Sequence, residues 1–269
     1  MIPIATECLS CAKSRGNQRG FSLVELAIAV FIMALLIGSF LVPLQSQVEN
    51  RKIDETQRIL DQARDALMGF VAANGRLPCP AAGGSTGQES YAGGGNAANG
   101  NCSNFFDGFL PAITIGFTPV DGSGYALDAW GLQQNRLRYA VSNVSVTNTA
   151  TSVTVTNPFT KTSGMRSAGM SDISAANLLY VCNSGTGVTA SNCGTATALT
   201  ANAIAVIYSL GANAPNGGSA PHEDKNLDGD RVFVSTERSN VSGNVFDDQF
   251  TWIGAPTLFN RMISAGILP

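Results

Sequence analysis

Charge is scarce in this sequence. Asp, Glu, Lys and Arg make up 13% of its 269 residues, about half the usual share. So sparse a set, with a formal net charge of −3, does not supply the basic surface that a phosphate backbone demands, and no nucleic-acid partner is expected. His222 is the only histidine, which excludes the paired-histidine helix of the HExxH metal hydrolases. Glu223 stands beside it, but a hydrolytic triad also needs a nucleophile presented by a recognisable turn. The expected role of His222 is that of a solvated loop residue, and no enzyme is expected. A phosphate-binding GxxxxGK[ST] loop is missing too, and no strand precedes the glycine clusters.

Glycine is plentiful, at 29 residues, and Asn, Ser and Thr are frequent. That composition suits short strands and polar turns rather than a helical bundle. Six cysteines are present: Cys8, Cys11, Cys79, Cys102, Cys182 and Cys193. Cys8 and Cys11 have CxxC spacing, but zinc or redox use needs a second pair or a strand–helix context, and neither follows. The other four form an even set in the polar region. Two disulfides are expected there if that region lies outside the cytoplasm. Three pairings are possible, of which the sequence-local one joins Cys79 to Cys102 and Cys182 to Cys193.

One long apolar run stands out. Residues 21–42 contain a single charged residue, Glu25. As a helix they would span about 33 Å, enough for a bilayer core. Lys13, Arg15 and Arg19 precede the run, which places that end in the cytoplasm and everything after Pro43 outside. The run is too long for a secretory signal core, and no small-residue cleavage site follows it before Pro43. An anchor is therefore expected. A charge inside such an anchor is costly, roughly 2.5–3.5 kcal/mol at the bilayer centre, so Glu25 needs a reason.

Gly20, Phe21, Ser22, Leu23, Val24 and Glu25 read G-F-S-L-V-E. This resembles the amino-terminal signature of type IV prepilins and of the pseudopilins of type II secretion. The resemblance implies that a prepilin peptidase cuts between Gly20 and Phe21 and methylates the new amine of Phe21. It also implies that Glu25 is retained for assembly. Glu25 of one subunit would then neutralise the Phe21 amine of a neighbour, a pairing that sets register more than it adds stability. Residues 1–20 sum to +2, so their removal leaves −5 on the rest.

Beyond Pro43 the apolar residues Ile53, Ile59, Leu60, Ala63, Leu67, Phe70 and Val71 recur mostly at helical spacing. Asp54 and Arg58 form an i, i+4 pair in the favourable order. Asn74-Gly75 and Pro78 end the pattern. Residues 81–101 are Gly-rich, low in complexity and bracketed by Cys79 and Cys102. Strands are expected at 137–147, 152–156, 178–182, 204–210, 231–236 and 249–253, and a short helix at 256–266. Asp128-Ala129-Trp130-Gly131, followed by Arg138-Tyr139, is similar to the Asp-Pro-Trp-Gly…Tyr element of pseudopilin heads, with Ala in place of Pro. Asp224, Asn226, Asp228 and Gly229 fit D-x-N-x-D-G, the opening of a calcium loop, and Asp230 extends it. The twelfth position holds Ser235 instead of Glu, leaving Glu223, Glu237, Asp247 or Asp248 to substitute. A plain Asp-Gly turn between strands fits the same residues.

The expected fold is α+β: a long N-terminal helix, first transmembrane and then amphipathic, packed on a mainly antiparallel β-sheet head, as in pilins. Residues 1–20 are the leader, 21–42 the transmembrane half, 43–74 the amphipathic half and 75–269 the head. The expected function is that of a structural subunit, of the minor class, in a type IV pilus or type II secretion pseudopilus. Implied partners are prepilin peptidase, other pilin subunits, an inner-membrane assembly platform and the lipid bilayer. Before assembly the protein would sit in the inner membrane with a periplasmic head. The competing reading is a membrane-anchored adhesin or ligand-binding module that enters no filament.

Overall fold

The computed structural model describes residues 22–174, 176–216 and 220–268, and their side chains except at 38–45 and 216. One helix, α1 (Leu23–Asn74), dominates the N-terminal part. It continues through Pro43 and stops where expected, at Gly75, whose positive φ of 68° suits a residue without Cβ. The Gly75 amide donates to the Val71 carbonyl at 2.8 Å.

The chain divides into two units, Met1–Glu49 and Asn50–Pro269. In the first, the large apolar side chains between Leu23 and Ile37 are all at least half exposed. Among the described residues no helix is long and apolar enough to cross a membrane. The expected span at 21–42 lies partly outside them, at Phe21 and at the side chains of 38–42.

In the second unit the rest of α1 is part of the head's core. Thr56, Leu60, Ala63, Leu67 and Val71 are fully buried, at steps of four, three, four and four that line up one helical face. The exposed face carries Glu55 and Arg58, which form an ion pair, with Arg58 Nε 2.9 Å from Glu55 Oε2. The expected Asp54–Arg58 pair is thus replaced by an i, i+3 pair that reaches both carboxylate oxygens.

The head's main sheet holds β1 (Gly108–Phe109), β2 (Arg138–Val141), β5 (Leu179–Cys182), β6 (Ala198–Ser209), β7 (Val232–Val234) and β10 (Gln249–Gly254). Strand β6 is central. Strand β10 runs antiparallel along one edge of it, and β2 and β5 share the other, also antiparallel. Only β5–β7 is parallel. Two small hairpins lie outside this sheet, β3 (Ser145–Thr147) with β4 (Thr154–Thr156), and β8 (Ser239–Val241) with β9 (Asn244–Phe246). The expected strand at 137–147 therefore splits: its first part joins the main sheet and its second part forms a hairpin. Helices α2 (Ala112–Ile115), α3 (Gly164–Ala168) and α4 (Met170–Ser174) are single turns. The last helix, α5 (Ala255–Ser264), has Pro256 in its first turn.

Strand β6 explains its own apolar run. Ile204, Ala205 and Ile207 face the core built with Leu60, Leu67 and Val71 of α1. Ala203, Val206 and Tyr208 face a second core with Leu179, Phe233, Phe246 and Phe250. A strand buried on both faces loses the alternation of a half-exposed one. Both disulfides are sequence-local, with Cα–Cα separations of 5.3 Å for Cys79–Cys102 and 5.6 Å for Cys182–Cys193. The first closes the Gly-rich segment, which Arg76 and Glu89 tie down from inside. Arg76 donates two bonds of 2.8 and 2.7 Å to the Glu89 carboxylate, which also accepts the Cys79 amide at 3.2 Å.

Candidate functional site

Two places carry the residues that the sequence singles out: the acidic corner of the head and the start of α1. In the corner, Asp224, Lys225 and Asn226 form a 3-10 turn. Asn226 is buried and anchors it. Its Nδ2 donates to the Val234 carbonyl at 3.0 Å and to Asp248 Oδ2 at 2.7 Å, while its Oδ1 accepts the Val234 amide at 2.7 Å. The Asn226 carbonyl accepts the Tyr208 hydroxyl at 2.7 Å, and the Tyr208 ring stacks on Phe250. The sheet thereby holds the turn in place.

Asp228 accepts Lys225 Nζ at 3.3 Å and the Asp230 amide at 3.3 Å. Asp230 accepts the Val232 amide at 2.7 Å. Burial, with the neighbouring Asp228 charge, pushes the Asp230 carboxyl up to about 6 despite that bond. The carboxylates of Asp224, Asp228 and Asp230 do not all converge on one point. Among the described residues the carboxylates that do are Glu223, Asp247 and Asp248, with one oxygen from each within 4.8 Å of the others.

These three come from separate places. Glu223 precedes the 3-10 turn, and Asp247 and Asp248 form the link between β9 and β10. Glu223 is fully buried, Asp247 is 7% exposed and Asp248 8%. Glu223 accepts both a bifurcated bond from Asn213 Nδ2, at 2.9 and 2.8 Å, and the Asp247 amide at 3.0 Å. Asp247 Oδ2 accepts the amides of Ala212 and Asn213 at 2.8 and 3.1 Å. Burial, then the Glu223 charge, raises the Asp247 carboxyl to about 6. Burial raises Asp248 well above the carboxylate range, and the Asn226 bond offsets only part of it. Gly211 sits against Asp247: a Cβ there would meet Asp247 Oδ1 at 2.3 Å, at a φ of +66°.

A bonded chain runs from this corner to the tryptophan loop. Asp128 Oδ2 accepts Ser209 Oγ and, at 2.9 Å, Asn135 Nδ2, which also donates to the Gly211 carbonyl. Asp128 Oδ1 accepts the Trp130 amide at 2.8 Å. The Ala129 amide donates to Thr56 Oγ1 of α1 at 3.2 Å. The loop thus docks the helix against the head. Burial raises the Asp128 carboxyl in spite of these donors. Arg138 stacks over Phe109 and pairs with Asp107 at 2.6 Å, and Tyr139 is buried with its hydroxyl 3.3 Å from the Pro78 carbonyl.

Beside the corner, His222 Nδ1 accepts the Gly185 amide at 2.8 Å. Gly83-Gly84-Ser85-Thr86-Gly87 has G-x-S-x-G spacing, but it lies in turns of the Gly-rich segment and not between a strand and a helix. Ser85 donates there to carbonyls of Ala82 and Gln88.

At the start of α1, Ser22 and Glu25 cap the helix reciprocally. The Ser22 amide donates to Glu25 Oε2 at 3.2 Å, and the Glu25 amide to Ser22 Oγ at 3.1 Å. This is a capping box, which satisfies two amides that would otherwise lack partners. The S-x-x-E spacing signals it in the sequence, and it gives Glu25 a local task beside any pairing between subunits. Gly20 and Phe21 lie outside the described residues. No curated protein and no solved structure matches the chain. Residues 15–41 match the prokaryotic N-terminal methylation motif, and the chain therefore carries the amino-terminal signature of type IV prepilins and pseudopilins.

Proposed function

We propose that this type IV pilin-like or pseudopilin-like chain is a minor structural subunit of a pilus or type II secretion pseudopilus. Prepilin peptidase cuts it between Gly20 and Phe21 and methylates the Phe21 amine. Residues 21–42 hold it in the inner membrane, with the head in the periplasm, until an assembly platform adds it to a filament of related subunits. The methylation motif at residues 15–41 carries this reading.

Three features support it. Leu23, Val24, Phe31 and Met33 are each more than half exposed on α1, and water is a poor solvent for such a surface, whereas lipid or a bundle of like helices is a good one. The capping box holds Glu25 at the helix start, four positions along the chain from the residue whose amine cleavage would free. Two disulfides suit an oxidising compartment.

Intact-mass measurement of the membrane-bound protein, from cells with and without active prepilin peptidase, tests the processing. A chain beginning at Phe21 and carrying one added methyl group is expected, and only with the peptidase. An uncut chain in both cells refutes the reading and moves the anchored adhesin ahead.

A further inference from the structure

Glu223, Asp247 and Asp248 pose a problem of charge and of bonding. Each is at least nine-tenths buried, and together they bring three carboxylates within 4.8 Å. Buried like charges repel strongly and need compensation. The bonding shows the same deficit independently. Seven buried side-chain polar atoms among the described residues lack a hydrogen-bond partner. Three of them are acceptors of this corner: Asp247 Oδ1, Asp248 Oδ1 and Asn213 Oδ1. Asn213 belongs to the cluster because it donates its Nδ2 to Glu223 and its backbone amide to Asp247. Orphaned buried acceptors are rare in native proteins and call for an explanation. Two of the three lie on residues bonded to each other, Asn213 and Asp247, and the third lies on Asp248, next in the chain.

The donor set selects the class of ligand. All the atoms are oxygens, and among the described residues no cysteine or histidine joins the group. Cys182 and Cys193 are joined in a disulfide, and His222 Nδ1 is taken by the Gly185 amide. Oxygen ligands favour hard cations, and oxygens up to 4.8 Å apart can surround one ion at the calcium–oxygen distance of about 2.3–2.6 Å.

We propose that Glu223, Asp247, Asp248 and the amide oxygen of Asn213 hold one hard divalent cation of calcium size. The site is not the D-x-N-x-D-G run, whose Asn226 is spent on Val234 and Asp248. The ion joins three segments: the turn after β6, the 3-10 turn at Asp224–Asn226 and the β9–β10 link. Loading it fastens residues 211–213 and 223–226 to the sheet that Asp248 adjoins. The inference does not depend on filament assembly, because every ligand belongs to the head.

The test uses the full chain in detergent, stripped with a chelator and titrated with calcium chloride. Calorimetry is expected to show one calcium ion per chain. At a hundredfold excess over the dissociation constant, about 10 mM calcium for an affinity of about 0.1 mM, the thermal midpoint rises by about 5–10 °C. Glu223→Gln and Asp248→Asn abolish the rise, and Asp228→Asn keeps it. If the first two variants fail to fold, hydrogen exchange on the unaltered chain replaces them. Calcium then slows exchange at the amides of Ala212, Asn213 and Asp247. Absence of binding, a rise that survives Asp248→Asn, or protection confined to residues 228–230 overturns the proposal.

Discussion

Replacing Cys79 and Cys102 together by alanine removes the link that closes the Gly-rich segment. The two residues are 23 apart in sequence. Loop closure of that size costs the unfolded chain about 11.4 cal/mol/K, so the disulfide is worth about 3.4 kcal/mol at 25 °C. The same arithmetic for Cys182 and Cys193, 11 apart, yields about 2.8 kcal/mol. For a head of this size about 3.4 kcal/mol corresponds to about 7–14 °C in the thermal midpoint. The Arg76–Glu89 pair and the Tyr91–Cys102 bridge still hold the segment in the folded state. The loss is therefore expected mainly in the entropy of the unfolded chain. The assay is thermal and denaturant unfolding of the full chain in detergent, followed by near-ultraviolet circular dichroism, for each double variant. Two losses of similar size are expected, the Cys79/Cys102 variant being slightly the weaker protein. A loss under about 1 kcal/mol for Cys79/Cys102 would show that the segment stays closed when unfolded, and the loop-closure argument would fail.

The Arg76–Glu89 pair predicts an acid limb. Burial pushes the Glu89 carboxyl up, but the bond and charge of Arg76 outweigh it and leave the folded value lowered. A lowered folded value means stability that is present above the unfolded value, about 4.3, and lost as pH falls through the folded one. Glu89→Gln should thus be less stable than the parent at pH 7, with the gap closing below about pH 4; a gap independent of pH in parallel melts refutes this. At the other end of the chain, Glu25→Ala removes one half of the capping box, at a cost of about 0.5–2 kcal/mol to the helix start. Membrane insertion should persist and filament incorporation should fall sharply, as read by fractionation and by sheared-filament immunoblot. Normal incorporation would leave Glu25 as a cap alone.

Some of this protein is determined locally and can be read from the sequence. The spacing of Leu60, Ala63, Leu67 and Val71, with Gly75 after them, specifies a helix face and its end, because helical contacts join residues three and four apart. Ser22 and Glu25 specify the cap in the same way. The processing signature at Gly20–Glu25 is linear as well, since it is written in neighbouring residues. Strand positions followed from β-branched runs, but the split of residues 137–147 between two sheets did not. Pairing partners lie far along the chain, and periodicity carries no information about them.

The acidic corner is the clearest case of what tertiary structure alone decided. In the sequence the D-x-N-x-D-G run draws attention because its oxygen-bearing residues alternate. Folding turns Asn226 inward as a clamp on β7, leaves Asp224 exposed, and brings Glu223 to Asp247 and Asp248 from 24 and 25 positions away. Cysteine count permitted three pairings, and chain geometry selected one. Local patterns determine which elements form, because their energies depend on near neighbours. Which carboxylates share a buried space depends on how β6, β7 and β10 pack around Tyr208 and Phe250, and only the assembled core contains that information.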